Sequence, residues 1–231
     1  MLYNNSKNGN IKRIKGKVLR KYVCKDCHST FYNYDYNLCP YCESLNSGDE
    51  SKVLYIIADC FSYANGKPEQ MSGYTVIVCN DRFDLEDKYN IEYVNRKAFK
   101  NTTNNYGELT GILDGLEYFL DNEIYECYDK VVVISDSEYC ILGARDRMAK
   151  WRSKGWTNTS GEVKNKELWM LMWDLVQEIK ATGVELEFRH QKGHVGKNIT
   201  KEEDPIVYLQ ERCDLWSTQL KEQILQQVKN K

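Results

Sequence analysis

No apolar stretch in this 231-residue chain approaches the ~20 residues a helix needs to cross a bilayer, which removes the membrane-spanning class. Met1 to Lys21 lacks the apolar centre of a secretion signal, so the expected setting is the cytoplasm. Net charge is scarce as well: 32 basic against 34 acidic residues leave -2, which is not the balance of a bulk polyanion binder. Without an export signal, nine cysteines do not read as a disulfide scaffold. What is present is a globular composition, 42% hydrophobic and 12% aromatic, long enough for one full core with a small module attached.

The charge that the total conceals is concentrated at the start, where residues 1–21 carry seven basic side chains and no acid. This basic arm either contacts a polyanion or is a solvated leader. Four cysteines then stand in pairs, Cys24 with Cys27 and Cys39 with Cys42, each pair enclosing two residues. Such knuckles aim their thiolates at one ion, and the intervening 28–38 is long enough for a short hairpin. The spacing predicts a zinc ribbon over 22–45 with a structural tetrahedral Zn2+, open to either nucleic acid or a protein partner. A segment this short cannot build its own core, so zinc would supply most of its folding free energy. Small polar residues over 46–52 mark a linker. The other thiols, Cys60, Cys79, Cys127, Cys140 and Cys213, read as buried small hydrophobes.

Beyond the linker, four acids sit where patterned elements begin or end. Asp59 closes the apolar run 53–58, and Asp136 follows the β-branched run 131–135, so each is carried to the end of a buried strand. Glu108 and Asp214 open amphipathic helical stretches. A carboxylate directly after an unbroken apolar strand is desolvated unless a cation or a donor meets it. Four of them gathered together repel one another unless divalent cations intervene, and hard oxygen ligands select Mg2+ or Mn2+.

The periodicity predicts strands at 53–60, 72–79 and 91–98, a helix at 107–120, a strand at 130–135 and helices at 137–149 and 166–181. A strand at 184–190 and a last helix from about 207 to 228 complete the series, with a turn at Asn65 and Gly66. The first three strands, joined by short connections, should pair antiparallel, and those separated by helices should pair in parallel. Trp169 and Trp173, four apart on one helix, read as core.

Five local stretches occur in order between residues 52 and 220: Thr102 to Leu109, Ser135 to Ser137, Trp151 to Trp156, Lys192 to Gly196, and Gln210 to Asp214. With the four acids they closely resemble the type 1 ribonuclease H family, which cuts the RNA strand of RNA/DNA hybrids. The resemblance implies an α/β, ribonuclease H-like fold, a mixed five-stranded sheet flanked by helices over 53–231, working as a monomer behind the zinc ribbon. It further implies that Asp59 bridges two ions, that Glu108 and Asp136 serve the leaving-group side, and that Asp214 holds the ion that activates water. His194 would relay a proton or help product leave. Thr103, Asn104 and Asn105 would contact substrate, although Asn104 also reads as a helix cap. Trp151, Arg152, Lys154 and Trp156 would form a basic handle for the DNA strand.

Departures from the family pattern bear on activity. Cys60 stands where Gly is usual and would crowd the RNA backbone, Glu138 replaces Gln, and Gln210 replaces Asn. The stretch 197–209 lengthens a loop and adds acids near the expected substrate path. None of these removes a metal ligand. Two other readings compete with the hybrid-specific nuclease. One is a non-catalytic nucleic-acid-binding protein that uses the ribbon and the fold as a scaffold; the other is a DNA-acting nuclease or integrase of the same fold.

Overall fold

The computed structural model describes residues 12–14, 17–23, 30–33, 52–80, 91–193, 200 and 203–229. The chain divides into two compact units, Met1–Ser51 and Lys52–Lys231. In the first, β1 (Lys12–Ile14), β2 (Lys17–Val23) and β3 (Thr30–Asn33) form an antiparallel three-stranded sheet in that order. The four cysteines of the expected zinc ribbon, Cys24, Cys27, Cys39 and Cys42, lie outside the described residues.

In the second unit β4 (Val53–Tyr63), β5 (Met71–Asn80) and β6 (Ile91–Lys100) are followed by α1 (Asn104–Asp121) and β7 (Lys130–Ser135). Next come α2 (Glu138–Leu142), a π-helical turn (Gly143–Arg147), α3 (Met148–Ser153), a small hairpin of β8 (Thr157–Asn158) and β9 (Gly161–Glu162), and α4 (Lys166–Thr182). β10 (Glu185–His190) and α5 (Pro205–Lys229) end the unit. The five-stranded sheet has the order β10-β7-β4-β5-β6. β4, β5 and β6 pair antiparallel, while β7 is parallel to both β4 and β10, as the connection lengths required.

The two faces of β4 are covered by different helices, which explains why its burial is nearly continuous and not alternating. On one face Gly107, Gly111 and Gly115, spaced four apart, let α1 lie almost on the sheet. A Cβ at Gly115 would stand 2.4 Å from Ile56 Cγ2, and one at Gly107 would stand 2.5 Å from Cys60 Sγ. On the other face Leu209 and Cys213 of α5 pack with Ile57, Ile77, Val132 and Ile134. Removing such apolar area from water supplies the main driving force, at about 25 cal/mol per Å2.

One expected helix is interrupted. The segment 137–149 is α2, then the π-helical turn, then the start of α3. The cause is Trp169: a Cβ at Gly143 would meet its indole at 2.2 Å, so the backbone widens where the ring wedges in. Trp169 is fully buried, donates through Nε1 to Tyr139 Oη at 2.9 Å, and packs edge-on against Trp151 at 5.2 Å. Trp173, by contrast, is not core; it is half-buried, with the Arg152 guanidinium 4.8 Å from its ring centroid. Helical spacing placed both tryptophans near the core side, but α4 rolls so that only the first points inward.

The last helix begins earlier than its apolar pattern shows. Pro205 occupies its first position and Asp204 caps it, accepting from Ile206 N at 3.1 Å and Val207 N at 3.0 Å. Asp204 is therefore the cap of this helix.

Candidate active site

The sheet register brings two of the acids side by side. β4 and β7 run parallel with Ile57 opposite Ile134, and both side chains face α5. Two residues further on, where side chains return to the same face, stand Asp59 and Asp136. α5 then places Asp214. The Cys213 thiol donates to Ile57 O at 3.3 Å and the Ser217 hydroxyl to Asp59 O at 3.3 Å, so Asp214 is clamped between two anchors on β4. Asp59, Asp136, Lys192, Gly193, Gln210, Glu211 and Asp214 line one cleft.

Glu108 reaches the same region from α1. Thr103 is the cap of that helix, accepting from Tyr106 N, so the capping expected of Asn104 falls one residue earlier. Asn104 is instead in the first turn, and its Nδ2 donates to Glu108 Oε1 at 2.6 Å. Ser137, the cap of α2, donates to Glu108 Oε2, and the Cys140 thiol lies 3.9 Å from that same oxygen. Both oxygens of Glu108 are thus held.

Asp59 is 8% exposed, and its Oδ2 has no hydrogen-bond partner. Burial first, then the Asp136 and Asp214 carboxylates, hold it well above the usual carboxylate range. Burial also raises Glu108; the Ser137 hydrogen bond opposes this, and Asp136 reinforces it. A buried, unpartnered carboxylate oxygen facing other carboxylates is an arrangement that a divalent cation resolves. Among the described residues no three acid, histidine or cysteine side chains close into a ready-made cage. Mg2+ does not need one, because it takes one or two protein carboxylates and completes its shell with water and substrate phosphates. The donor set fits a hard divalent ion.

The family model described as RNase H matches residues 50–219. The chain belongs to the RNase H family. It is 33% identical over 107 residues to the ribonuclease H of Pseudomonas fluorescens (strain Pf0-1), a match covering 46% of this chain and 63% of that protein. Over 99 residues it is 37% identical to the ribonuclease H of Rhodopirellula baltica, covering 41% of this chain and 56% of the relative. The chain therefore spans less than two thirds of the length of these curated relatives. The solved RNase H domain of PFV superposes with a TM-score of 0.51 at 18% identity, covering 75% of this chain and 96% of that domain. At that identity the likeness shows the fold alone.

Other expected RNase H site residues distribute unevenly. Thr103 is exposed and Asn105 half-buried at the start of α1, while Arg152 and Lys154 are exposed at the end of α3. Trp151 is turned inward toward Trp169, and Trp156 is half-buried with φ at +62°, its N–H donating to Trp151 O at 2.7 Å. Cys60, expected to crowd the substrate, points to the opposite face of β4 from Asp59; its thiol donates to Phe61 O at 3.1 Å and Asn104 O at 3.6 Å. Glu138 is exposed in the first turn of α2. His194 lies outside the described residues.

The structure gives roles to residues that the sequence motifs contained but left without one. Ser137 holds Glu108, and Gly193 approaches Asp136 so closely that a Cβ would lie 2.4 Å from Oδ2. Gln210 is 5% exposed, donates to Gln191 O at 3.4 Å and leaves Oε1 unpartnered. Ser137 was findable as a capping residue directly after Asp136. Gly193 and Gln210 stood within the motifs, but their roles were not legible there, because they depend on contacts between β10, β7 and α5.

Proposed function

We propose that the chain is an endoribonuclease that hydrolyses the RNA strand of RNA/DNA hybrids, leaving 5'-phosphate and 3'-hydroxyl ends. The observation that carries this reading is the buried, unpartnered Oδ2 of Asp59 beside Asp136 and Asp214. Its membership of the RNase H family and the ribonuclease H names of its relatives support the substrate class. Divalent Mg2+ or Mn2+, two ions when bound, would acidify the attacking water and neutralise charge on the leaving 3' oxygen.

The chain's own groups have distinct tasks in this reading. Asp59, central and buried, would be shared by both ion positions. Asp136 and Glu108 would hold the leaving-group side, and Asp214 the side of the attacking water. Glu108 keeps lone pairs beyond those used by Asn104 and Ser137, so its carboxylate can also accept from the ribose 2'-hydroxyl, the group that distinguishes RNA from DNA. His194 would carry a proton from the leaving group or help product leave. Thr103 and Asn105 would meet substrate at the start of α1, and Arg152 and Lys154 would meet DNA phosphates, with Trp156 beside them. The Cys60, Cys140 and Cys213 thiols are not joined in disulfides, which suits a reducing, cytoplasmic setting. Residues 22–45 would bind one Zn2+ and, with the basic arm, add affinity for the hybrid.

The test is cleavage of labelled RNA/DNA hybrid, double-stranded RNA and double-stranded DNA with and without Mg2+. Cutting of RNA confined to the hybrid and to metal-containing samples is the expected result. Equal cutting of double-stranded DNA, or cutting in chelator, would remove the proposal.

A further inference from the structure

β10 ends on His190, which pairs with Ser135 of β7, and the next N–H, that of Gln191, donates to Ser135 O at 3.1 Å. Asp136 O is the first carbonyl beyond that ladder, at the point where the chain leaves β7 for α2. The His190 ring meets it: Nε2 lies 3.0 Å from Asp136 O. A carbonyl oxygen only accepts, so Nε2 carries the proton and donates. Three residues on, the backbone of Gly193 abuts the Asp136 carboxylate itself. The segment linking these contacts is in turn tied to α5 by Gln210 Nε2 on Gln191 O at 3.4 Å. Asp136 is thus gripped at two levels by one stretch of chain, by the His190 imidazole at its peptide and by Gly193 at its carboxylate.

We infer that His190 is a positioning residue: its hydrogen bond fixes the Asp136 peptide, and through it the direction in which the carboxylate is offered to a divalent cation. The inference rests on the reading of Asp136 as a metal ligand. Asp136 is half-buried at a strand end, without the two-sided ladder that fixes residues inside β7. The His190 donor on its carbonyl therefore adds a constraint on its orientation where the ladder has ended. Partners behind a ligand act on the metal by holding the ligand, and their loss weakens metal binding or turnover by roughly 10- to 100-fold. His190 lies behind the carboxylate and lines no part of the cleft, so its removal should act on metal and turnover without altering hybrid recognition.

Two variants of the full chain separate the hydrogen bond from the bulk of the ring. His190→Phe keeps a planar ring and loses the donor; His190→Gln keeps a donor. Mn2+ binding is followed by titration calorimetry without nucleic acid, alongside melting temperature and the kcat and KM for hybrid at several metal concentrations. His190→Phe should bind Mn2+ ~10-fold more weakly and need correspondingly more metal for half-maximal turnover, with KM for hybrid unchanged. His190→Gln should recover most of that loss, and both should melt close to the unsubstituted chain. Wild-type Mn2+ affinity in His190→Phe would overturn the inference. So would an equal loss in both variants, or a loss that only tracks a fallen melting temperature. A chain that binds Mn2+ yet leaves hybrid uncut would count against the nuclease reading, while the affinities of the two variants still decide the role of His190.

Discussion

Asn104 Nδ2 donates to Glu108 Oε1 at 2.6 Å, one helical turn along the same face of α1. An asparagine expected to touch substrate is therefore engaged with one of the four acids. Asn104→Ala should lower kcat by about 10-fold or more, because it frees one oxygen of a ligand now held from both sides. Asn104→Asp should be worse, since it sets a like charge against Glu108. Steady-state kinetics on a hybrid substrate decide the matter: a change confined to KM would return Asn104 to substrate binding.

Asp59 is held above the ordinary carboxylate range, so folding favours its protonated form. Its contribution to metal-free stability is complete below the ordinary carboxylate value and is lost as pH rises through the raised one. In chelator, the melting temperature of the unsubstituted chain should therefore climb, relative to Asp59→Asn, as pH is lowered from neutrality through that window. At neutral pH Asp59→Asn should be the more stable of the two without metal. Mg2+ should raise the melting temperature of the unsubstituted chain more, and cleavage by the variant should be abolished. Parallel pH profiles for the two proteins would contradict the assignment.

The two tryptophans of α4 should separate stability from binding. Trp169 is fully buried between Gly143, Tyr139 and Trp151, so Trp169→Ala should cost ~3–5 kcal/mol in urea unfolding. Trp173 is half-buried beneath Arg152, so Trp173→Ala should cost much less. It should weaken hybrid binding by releasing the guanidinium. Comparable unfolding losses for both would contradict the burial argument.

Arg152 and Lys154, both exposed, are the proposed phosphate-binding side chains of the nuclease unit. Replacing both by Ala should flatten the slope of log affinity against log salt by ~0.7–0.9 for each phosphate that is no longer neutralised, since neutralising a phosphate releases its counterions. Deleting residues 1–50 should flatten it further if the arm and ribbon touch the hybrid. An unchanged slope after that deletion would assign the first unit to a protein partner.

One zinc per chain should copurify and disappear in Cys24→Ser with Cys42→Ser, as elemental analysis would record. Lys52–Lys231 is a compact unit by itself and contains all four acids, so it should fold alone and keep some cleavage. Correctly folded full-length protein with no zinc would eliminate the ribbon.

The elements that sequence determined are those whose pattern is local. Apolar runs ending at Ala58 and Ile134 marked β4 and β7, and the lengths of the connections decided which strands pair parallel; Asp136 does follow β7, whereas Asp59 lies inside β4, which runs on to Tyr63. The ordered motifs identified the family, because five stretches in one order are far more specific than any one of them. Only the tertiary structure decided which nearby side chains share a task. The break at Gly143 depends on Trp169, which is distant in sequence. The room for the Cys60 side chain depends on Gly107 in another element, and the exposure of Trp173 on how α4 rolls against α3. The grip of His190 on Asp136 depends on the register of β10 against β7. Periodicity reports which residues leave water; the partner each one meets is a property of packing between segments far apart in the chain, and no local pattern encodes it.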